Sequence, residues 1–278
     1  MSDPVPVVQP TTCYRHPDRR AGVSCQRCDR AICPSCMVQA SVGFHCPECA
    51  KGGRQRVYTS RTLGKLNRPI ITQVLVAANV VIFFLTTQGG SLLSDTQSAT
   101  VGDYLLYGPA VADGEWYRLI TGGFLHANLL HLGMNMLALW FLGVLLEPAI
   151  GRLRFGVVYA VSLLAGSLGV MIMSANQPTV GASGAIFGLL GCLAAGQWAR
   201  GTSLWQSGIG TLIVVNLLFT FTMSDVISVG GHLGGLAGGF VCGTILYRAP
   251  ALTKNKVIPV FLCAVVGVAC FAVSLAIA

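Results

Sequence analysis

The chain has 278 residues, 53% of them hydrophobic and only 10% charged. A soluble domain usually carries about 25% charged residues, so an ordinary soluble enzyme is excluded. The net charge of +8 comes from Lys and Arg beside apolar runs, not from a basic patch interleaved with aromatics, which argues against nucleic acid as a partner.

Residues 1–10 lack a basic start followed by an apolar run, so no cleavable signal peptide is expected. The first polar stretch then reads Cys13-x2-His16, Cys25-x2-Cys28, Cys33-x2-Cys36 and Cys46-x2-Cys49. Four such pairs supply eight ligands, enough for two tetrahedral zinc ions. Disulfides are the alternative, but a reducing cytoplasm and the regular two-residue gaps favour metal. A head this small cannot build much core, so metal would supply much of its folding energy. The spacing resembles a B-box-type zinc finger. That resemblance implies that alternate pairs share an ion: Cys13, His16, Cys33 and Cys36 hold one, and Cys25, Cys28, Cys46 and Cys49 the other. His45, next to Cys46, is an alternative ligand. With four protein ligands per ion the zinc is expected to be structural, and the head to serve protein contact or regulation through a cytoplasmic partner. Residues 1–52 form this expected domain, and 53–69 a basic linker.

Seven apolar runs follow, near Ile70–Thr86, Leu129–Ile150, Phe155–Ala175, Ala182–Ala199, Ser207–Thr222, Val226–Tyr247 and Val257–Ala278. A spanning helix needs about 20 mostly apolar residues, so the fold class is an all-α polytopic membrane protein with a small zinc-binding N-terminal domain. Lys51, Arg54, Arg56, Arg61, Lys65 and Arg68 precede the first run; Arg152, Arg154, Arg200, Arg248, Lys254 and Lys256 fall on the same side once the runs are threaded. By the positive-inside rule that side is the cytoplasm, which places the N-terminus inside and the C-terminus outside. The loop Gln88–Gly123 is then external. Its Tyr104, Tyr107, Trp116 and Tyr117 suit either the outer membrane interface or a plain extracellular loop.

Polar residues inside such runs are functional candidates by default. Ser183 and His232 make a nucleophile and its base if they meet. His131 and Asn135, four residues apart, share a helix face, and both carry N–H donors suited to an oxyanion. The Ser183 backbone N–H, near a helix start, can join them. All four fall at one depth on the external side. Gly231, Gly235, Gly239 and Gly243 make a small-residue stripe, matched by Gly184, Gly188, Cys192 and Gly196, that would let two helices approach closely. Neither Glu147, near the cytoplasmic end of its run, nor the external Asp225 is placed as a third member, so a Ser–His dyad is expected. His126 is either a loop-packing residue or an outer hydrogen-bonding partner. Cys192, Cys242, Cys263 and Cys270 read as small buried residues.

Gly181-Ala-Ser183-Gly, His131-Leu-Gly-Met-Asn135 and His232-x-x-Gly235-x-x-x-Gly239 resemble the signature motifs of the rhomboid family of intramembrane serine proteases. The resemblance covers roughly residues 70–247 and implies a six-helix rhomboid-like bundle, with 248–278 supplying a basic loop and a seventh C-terminal helix. It also implies Ser183 as nucleophile, His232 as base, His131 and Asn135 as oxyanion-side residues, and Gly181 as the glycine that opens that site. Arg118 matches the arginine of a Trp-Arg motif; here the preceding residue is Tyr117, with Trp116 one step earlier. Phe187 stands where many relatives carry tyrosine. The function implied is a serine endopeptidase, needing no catalytic cofactor, that cuts transmembrane protein substrates within the lipid bilayer. The other reading is a non-catalytic membrane binding protein or scaffold acting through its zinc-binding head.

Overall fold

A computed structural model describes residues 12–52, 68–87 and 99–278. The expected linker, apart from Arg68 and Pro69, and the stretch 88–98 of the loop expected to be external lie outside the described residues. The chain divides into two compact units, within Met1–Leu63 and Gly64–Ala278.

The first unit holds two small antiparallel hairpins. Strand β1 (Val23–Ser24) pairs with β2 (Ala31–Ile32), Val23 facing Ile32; β3 (Val38–Gln39) pairs with β4 (Phe44–His45), Val38 facing His45. A short helix, α1 (Pro47–Gly52), follows. Among its described residues the buried apolar side chains are five cysteines and Ile32. Tyr14, Met37 and Phe44 pack against this cluster half-buried, a small apolar core for a domain of this size.

The second unit is helical. Helix α2 (Ile70–Thr87) precedes three short helices, α3 (Ala99–Tyr104), α4 (Gly108–Ala112) and α5 (Arg118–Thr121). The long helices α6 (Leu129–Ile150) and α7 (Arg152–Ser174) turn at Gly151, whose φ of +89° is easily adopted only without a Cβ. Then come α8 (Ser183–Ala199), α9 (Ile209–Thr222), α10 (Val229–Leu252) and α11 (Ile258–Ala276). All seven expected apolar helices are present. Five are long and apolar enough to cross a membrane, whereas α8 and α9 are shorter. At 1.5 Å per residue α8 spans about 25 Å, less than the ~30 Å hydrocarbon core. Its shortness has a local cause. The chain runs through an irregular loop to Gly181, so the helix begins at Ser183, with Ala182 at its N-cap.

Helix α10 packs most extensively against α8 and α7. A Cβ on Gly235 or Gly239 would run into the carbonyls of Gly184 or Gly188 on α8. These glycines let two backbones touch, the close approach that small residues permit where apolar side chains gain little by associating. The opposite edge of α10 does the same against α7, where Gly234 faces the Ala165 carbonyl. The core between the helices is built from Leu139, Leu146, Phe155, Val158 and Leu189, all fully buried.

The far end of α6 is tied to the start of α2. Glu147, 1% exposed, accepts from the N–H of Ile71 (2.9 Å), the N–H of Thr72 (2.8 Å) and the Thr72 hydroxyl (2.7 Å). It thereby satisfies donors that a helix start leaves without intrahelical partners.

Candidate active site

The strand-like turn before α8 is fixed from the segment between α2 and α6. Leu106 and Thr179 exchange backbone bonds at 3.0 and 2.9 Å, and the Gly181 N–H donates to Gly122 O at 2.9 Å. Gly181 itself sits at φ +127°, where an L side chain is strained. A Cβ there would also lie 2.8 Å from Cε1 and Nε2 of His131, and 3.7 Å from Ser183 Oγ. The absent side chain is therefore what lets the His131 ring stand beside Ser183.

His131 is set by the start of α6. Asn128 caps the helix by accepting from the His131 N–H at 2.9 Å. The Ala127 N–H donates to His131 Nδ1 at 3.4 Å, which makes Nδ1 the acceptor and leaves the proton on Nε2, the atom facing Gly181. One turn on, Asn135 donates from Nδ2 to the His131 carbonyl at 2.9 Å and is 5% exposed.

His232 stands on the first turn of α10, capped by Ser228, whose hydroxyl accepts from the Gly231 N–H at 3.1 Å. Its ring stacks on Phe187, one turn after Ser183 on α8, with centroids 4.0 Å apart and planes inclined by 18°. Its Nδ1 lies 2.7 Å from Thr220 Oγ1 on α9.

Ser183, His232, His131, Asn135, Gly181 and Phe187 line one cavity of about 280 Å³. The side chains singled out from sequence thus meet in one place. Among the described residues no Asp, Glu, Lys or Arg lines this cavity. Among the described residues no hydrogen bond joins Ser183 Oγ to His232. The arrangement can supply a hydroxyl, an imidazole and N–H donors around one cavity.

The other candidates stand elsewhere. Glu147 lies twelve residues beyond Asn135, about 18 Å along α6, and is engaged with α2. Asp225 is exposed. His126 is buried, with its ring 5.1 Å from that of His131 in an edge-on contact. Arg118 organises the loop: it donates to the carbonyls of Gly102 (2.7 Å) and Leu105 (2.9 Å) and pairs with Glu115. Trp116 sets its ring edge-on to Phe271 of α11, 6.1 Å between centroids, while Tyr117 donates to Glu115 at 3.0 Å. The Arg118 guanidinium, with help from Tyr117, holds the Glu115 carboxyl below its ordinary range. Thr220 carried no signal in the sequence, because a threonine in an apolar helix usually satisfies itself on the carbonyl four residues back.

In the first unit, Cys13, His16, Cys33 and Cys36 form one group and Cys25, Cys28, Cys46 and Cys49 another, with the ligand atoms of each within 4.8 Å of one another. Two thiolates on a common zinc, each 2.3 Å from it, stand about 3.8 Å apart in a tetrahedron. Cys28 and Cys46 Sγ are 3.8 Å apart, and His16 Nδ1 lies 3.3 Å from Cys36 Sγ and 3.5 Å from Cys33 Sγ. Both groups could hold a metal ion. His45 belongs to neither. Three of the four pairs close a tight turn: His16 N–H donates to Cys13 O (3.2 Å), Cys28 to Cys25 (3.3 Å) and Cys36 to Cys33 (2.8 Å); in the fourth the Cys49 N–H donates to Cys46 Sγ (3.3 Å). Burial works against the Cys13 thiolate, but N–H groups of Arg15, Cys33 and His16 outweigh it and bring the thiol down to about 6.

The Rhomboid domain family matches residues 113–249. Rhomboid protease GluP of Bacillus subtilis (strain 168) is 36% identical over 184 residues, covering 64% of this chain and 35% of that protein. Putative rhomboid protease YdcA of the same organism is 34% identical over 177 residues, 62% of this chain and 86% of that protein. RHOMBOID-like protein 4 of Arabidopsis thaliana is 33% identical over 144 residues, half of this chain and 36% of that protein. The chain therefore spans about a third of the first relative and most of the second.

Proposed function

The chain belongs to the rhomboid family and is a multi-pass membrane protein, and from that premise we propose that it is an intramembrane serine endopeptidase working by a Ser183–His232 dyad. The single observation that carries this reading is the convergence of Ser183, His232, His131, Asn135 and Gly181 on one cavity that, among the described residues, no charged side chain lines.

In the proposed reaction Ser183 Oγ attacks the scissile carbonyl carbon as its proton passes to His232 Nε2. The carbonyl oxygen becomes an oxyanion, met by N–H donors from His131 Nε2, Asn135 Nδ2 and the Ser183 backbone. The imidazolium returns the proton to the leaving amine nitrogen, and the C–N bond breaks to give an acyl-enzyme. Water then attacks the ester carbon, again losing its proton to His232, and the acid product leaves Ser183. Relatives named as proteases support the same chemistry. The substrates are transmembrane proteins whose cut segment must leave its helix to reach Ser183. Gly and Pro near the bond, which weaken a helix, favour cleavage.

The distribution of Lys and Arg supports a cytoplasmic head and an external C-terminus. The head takes two structural zinc ions through Cys13, His16, Cys33 and Cys36, and through Cys25, Cys28, Cys46 and Cys49, and offers its surface to a cytoplasmic protein. Residues 1–52 act as that domain, 53–69 as a linker, 70–247 as the protease domain, and 248–278 as the basic loop and added span.

The test is cleavage of a single-span substrate by purified full-length protein in liposomes. Cleavage abolished by Ser183→Ala and by His232→Ala supports the proposal. Cleavage that survives Ser183→Ala, or its absence from the intact protein across varied substrates, overturns it.

A further inference from the structure

Helix α9 turns mostly apolar, exposed side chains outward; Ile209, Gly210 and Thr220 are its buried residues. Thr220, 1% exposed, stands where α9 meets the first turn of α10. Its Oγ1 has two partners, the Asn216 carbonyl at 2.7 Å and His232 Nδ1 at 2.7 Å. A hydroxyl has one hydrogen. The Asn216 carbonyl can only accept, so it takes the threonine proton in the usual bond to the carbonyl four residues back. The other contact then runs the opposite way: His232 Nδ1–H donates to a lone pair of Thr220 Oγ1.

We propose that Thr220 is a positioning residue that fixes His232 in the Nδ1–H tautomer and so leaves the Nε2 lone pair to receive the Ser183 proton. This rests on the catalytic reading above. The consequence follows from the ring's two nitrogens. A neutral imidazole carries one proton, and holding it at Nδ1 makes Nε2 the acceptor. When Nε2 takes the serine proton, Nδ1–H still donates to Thr220, so the imidazolium keeps its orientation and a partner for the developing charge. In Ser-His-Asp enzymes a carboxylate does this. Among the described residues none is present here: Phe187 covers the face of the ring, His131 is the other titratable residue lining the cavity, and no Asp, Glu, Lys or Arg lines it. A neutral hydroxyl, itself oriented by the α9 backbone, holds the place instead. Burying a hydroxyl there also avoids the cost of desolvating a carboxylate.

The test uses full-length protein with nitrogen-labelled histidine, comparing wild type with Thr220→Val, which keeps the shape and loses the hydroxyl, and Thr220→Ser, which restores it. NMR of the imidazole nitrogens should show His232 protonated at Nδ1 in the wild type and in Thr220→Ser, and redistributed toward Nε2–H in Thr220→Val. Cleavage of a single-span substrate should fall about tenfold to hundredfold in kcat for Thr220→Val, with KM little changed, and recover largely in Thr220→Ser. A wild type protonated at Nε2 overturns the proposal without any variant. So does a folded Thr220→Val with wild-type kcat, or a Thr220→Ser as slow as Thr220→Val. Failure of the catalytic reading shows differently, as a wild type with no Ser183-dependent cleavage whatever its tautomer.

Discussion

The Phe187 ring lies nearly parallel to the His232 imidazole, 4.0 Å from centroid to centroid. Both partners rise from helix starts, Phe187 one turn into α8 behind Ser183 and His232 one turn into α10. The stack therefore sets how the serine helix and the histidine helix face each other. It needs a flat ring and no hydroxyl, and phenylalanine supplies that. Phe187→Ala should free the imidazole and lower kcat by about tenfold or more, while costing about 3 kcal/mol in stability. Phe187→Tyr should keep the stack and most of the rate. Steady-state cleavage and thermal unfolding of the two variants check this.

The α8–α10 contact leaves no room for a side chain at Gly235 or Gly239. An added methyl at Gly239 should push the backbones apart, destabilise the protein by about 1–3 kcal/mol and reduce cleavage by separating Ser183 from His232. The same substitution at Gly133, with open space around it, should cost little. Paired unfolding and cleavage measurements on Gly239→Ala and Gly133→Ala separate close packing from helix propensity.

Glu147 is buried and accepts from two backbone N–H groups and a hydroxyl at the start of α2. Glu147→Ala should leave those donors without their partner and destabilise the protein by about 2 kcal/mol or more. Glu147→Gln, still an acceptor through its carbonyl, should lose less. Because the residue lies far from the cavity, the surviving folded fraction should retain its kcat, and activity normalised to folded protein tests that.

Glu115 gives a pH dependence with a definite sign. Its bond to the Arg118 guanidinium, aided by Tyr117, lowers its folded pKa. The stabilisation is therefore full above the unfolded value of about 4.3 and is lost as pH falls through the lowered folded value. The difference in Tm between wild type and Glu115→Gln should be constant near neutrality and shrink on acidification below about pH 4. A difference that grew on acidification would contradict the assignment.

The head should carry about two zinc ions per full-length chain by metal analysis. Cys25→Ser should reduce this to about one, because the ligand groups are separate. His45→Ala should leave both, since His45 belongs to neither group. A strong chelator should unfold the hairpins, whose apolar core besides cysteine is Ile32.

Much of this arrangement was legible because the chemistry is written in residues that membranes disfavour. Ser183, His131, Asn135 and His232 stand out against apolar runs, and they line one cavity. The regular two-residue gaps of the head likewise announced its ligand groups. The boundaries were less legible. The run Ala182–Ala199 matches the helix Ser183–Ala199 to one residue; what hydrophobicity does not encode is the backbone conformation of Gly181, at φ +127°, that leads into it. The second glycine edge of α10, toward α7, is not legible in the sequence, because a single stripe accounts for the four-residue spacing. The sequence sets Glu147 apart from the site by its position near the far end of its run; its engagement with α2 depends on an approach of two helices that no local pattern reports. Thr220 was invisible for a similar reason: its role arises from a neighbour twelve residues away on another helix.

The central claim is that Ser183 is a nucleophile activated by His232. It is tested most directly by mapping, with mass spectrometry, where a fluorophosphonate probe attaches to the folded full-length protein. The account predicts one adduct, on Ser183, formed by the wild type and lost in His232→Ala while the fold remains intact. An adduct at another serine, or labelling of Ser183 at an undiminished rate without His232, would contradict it.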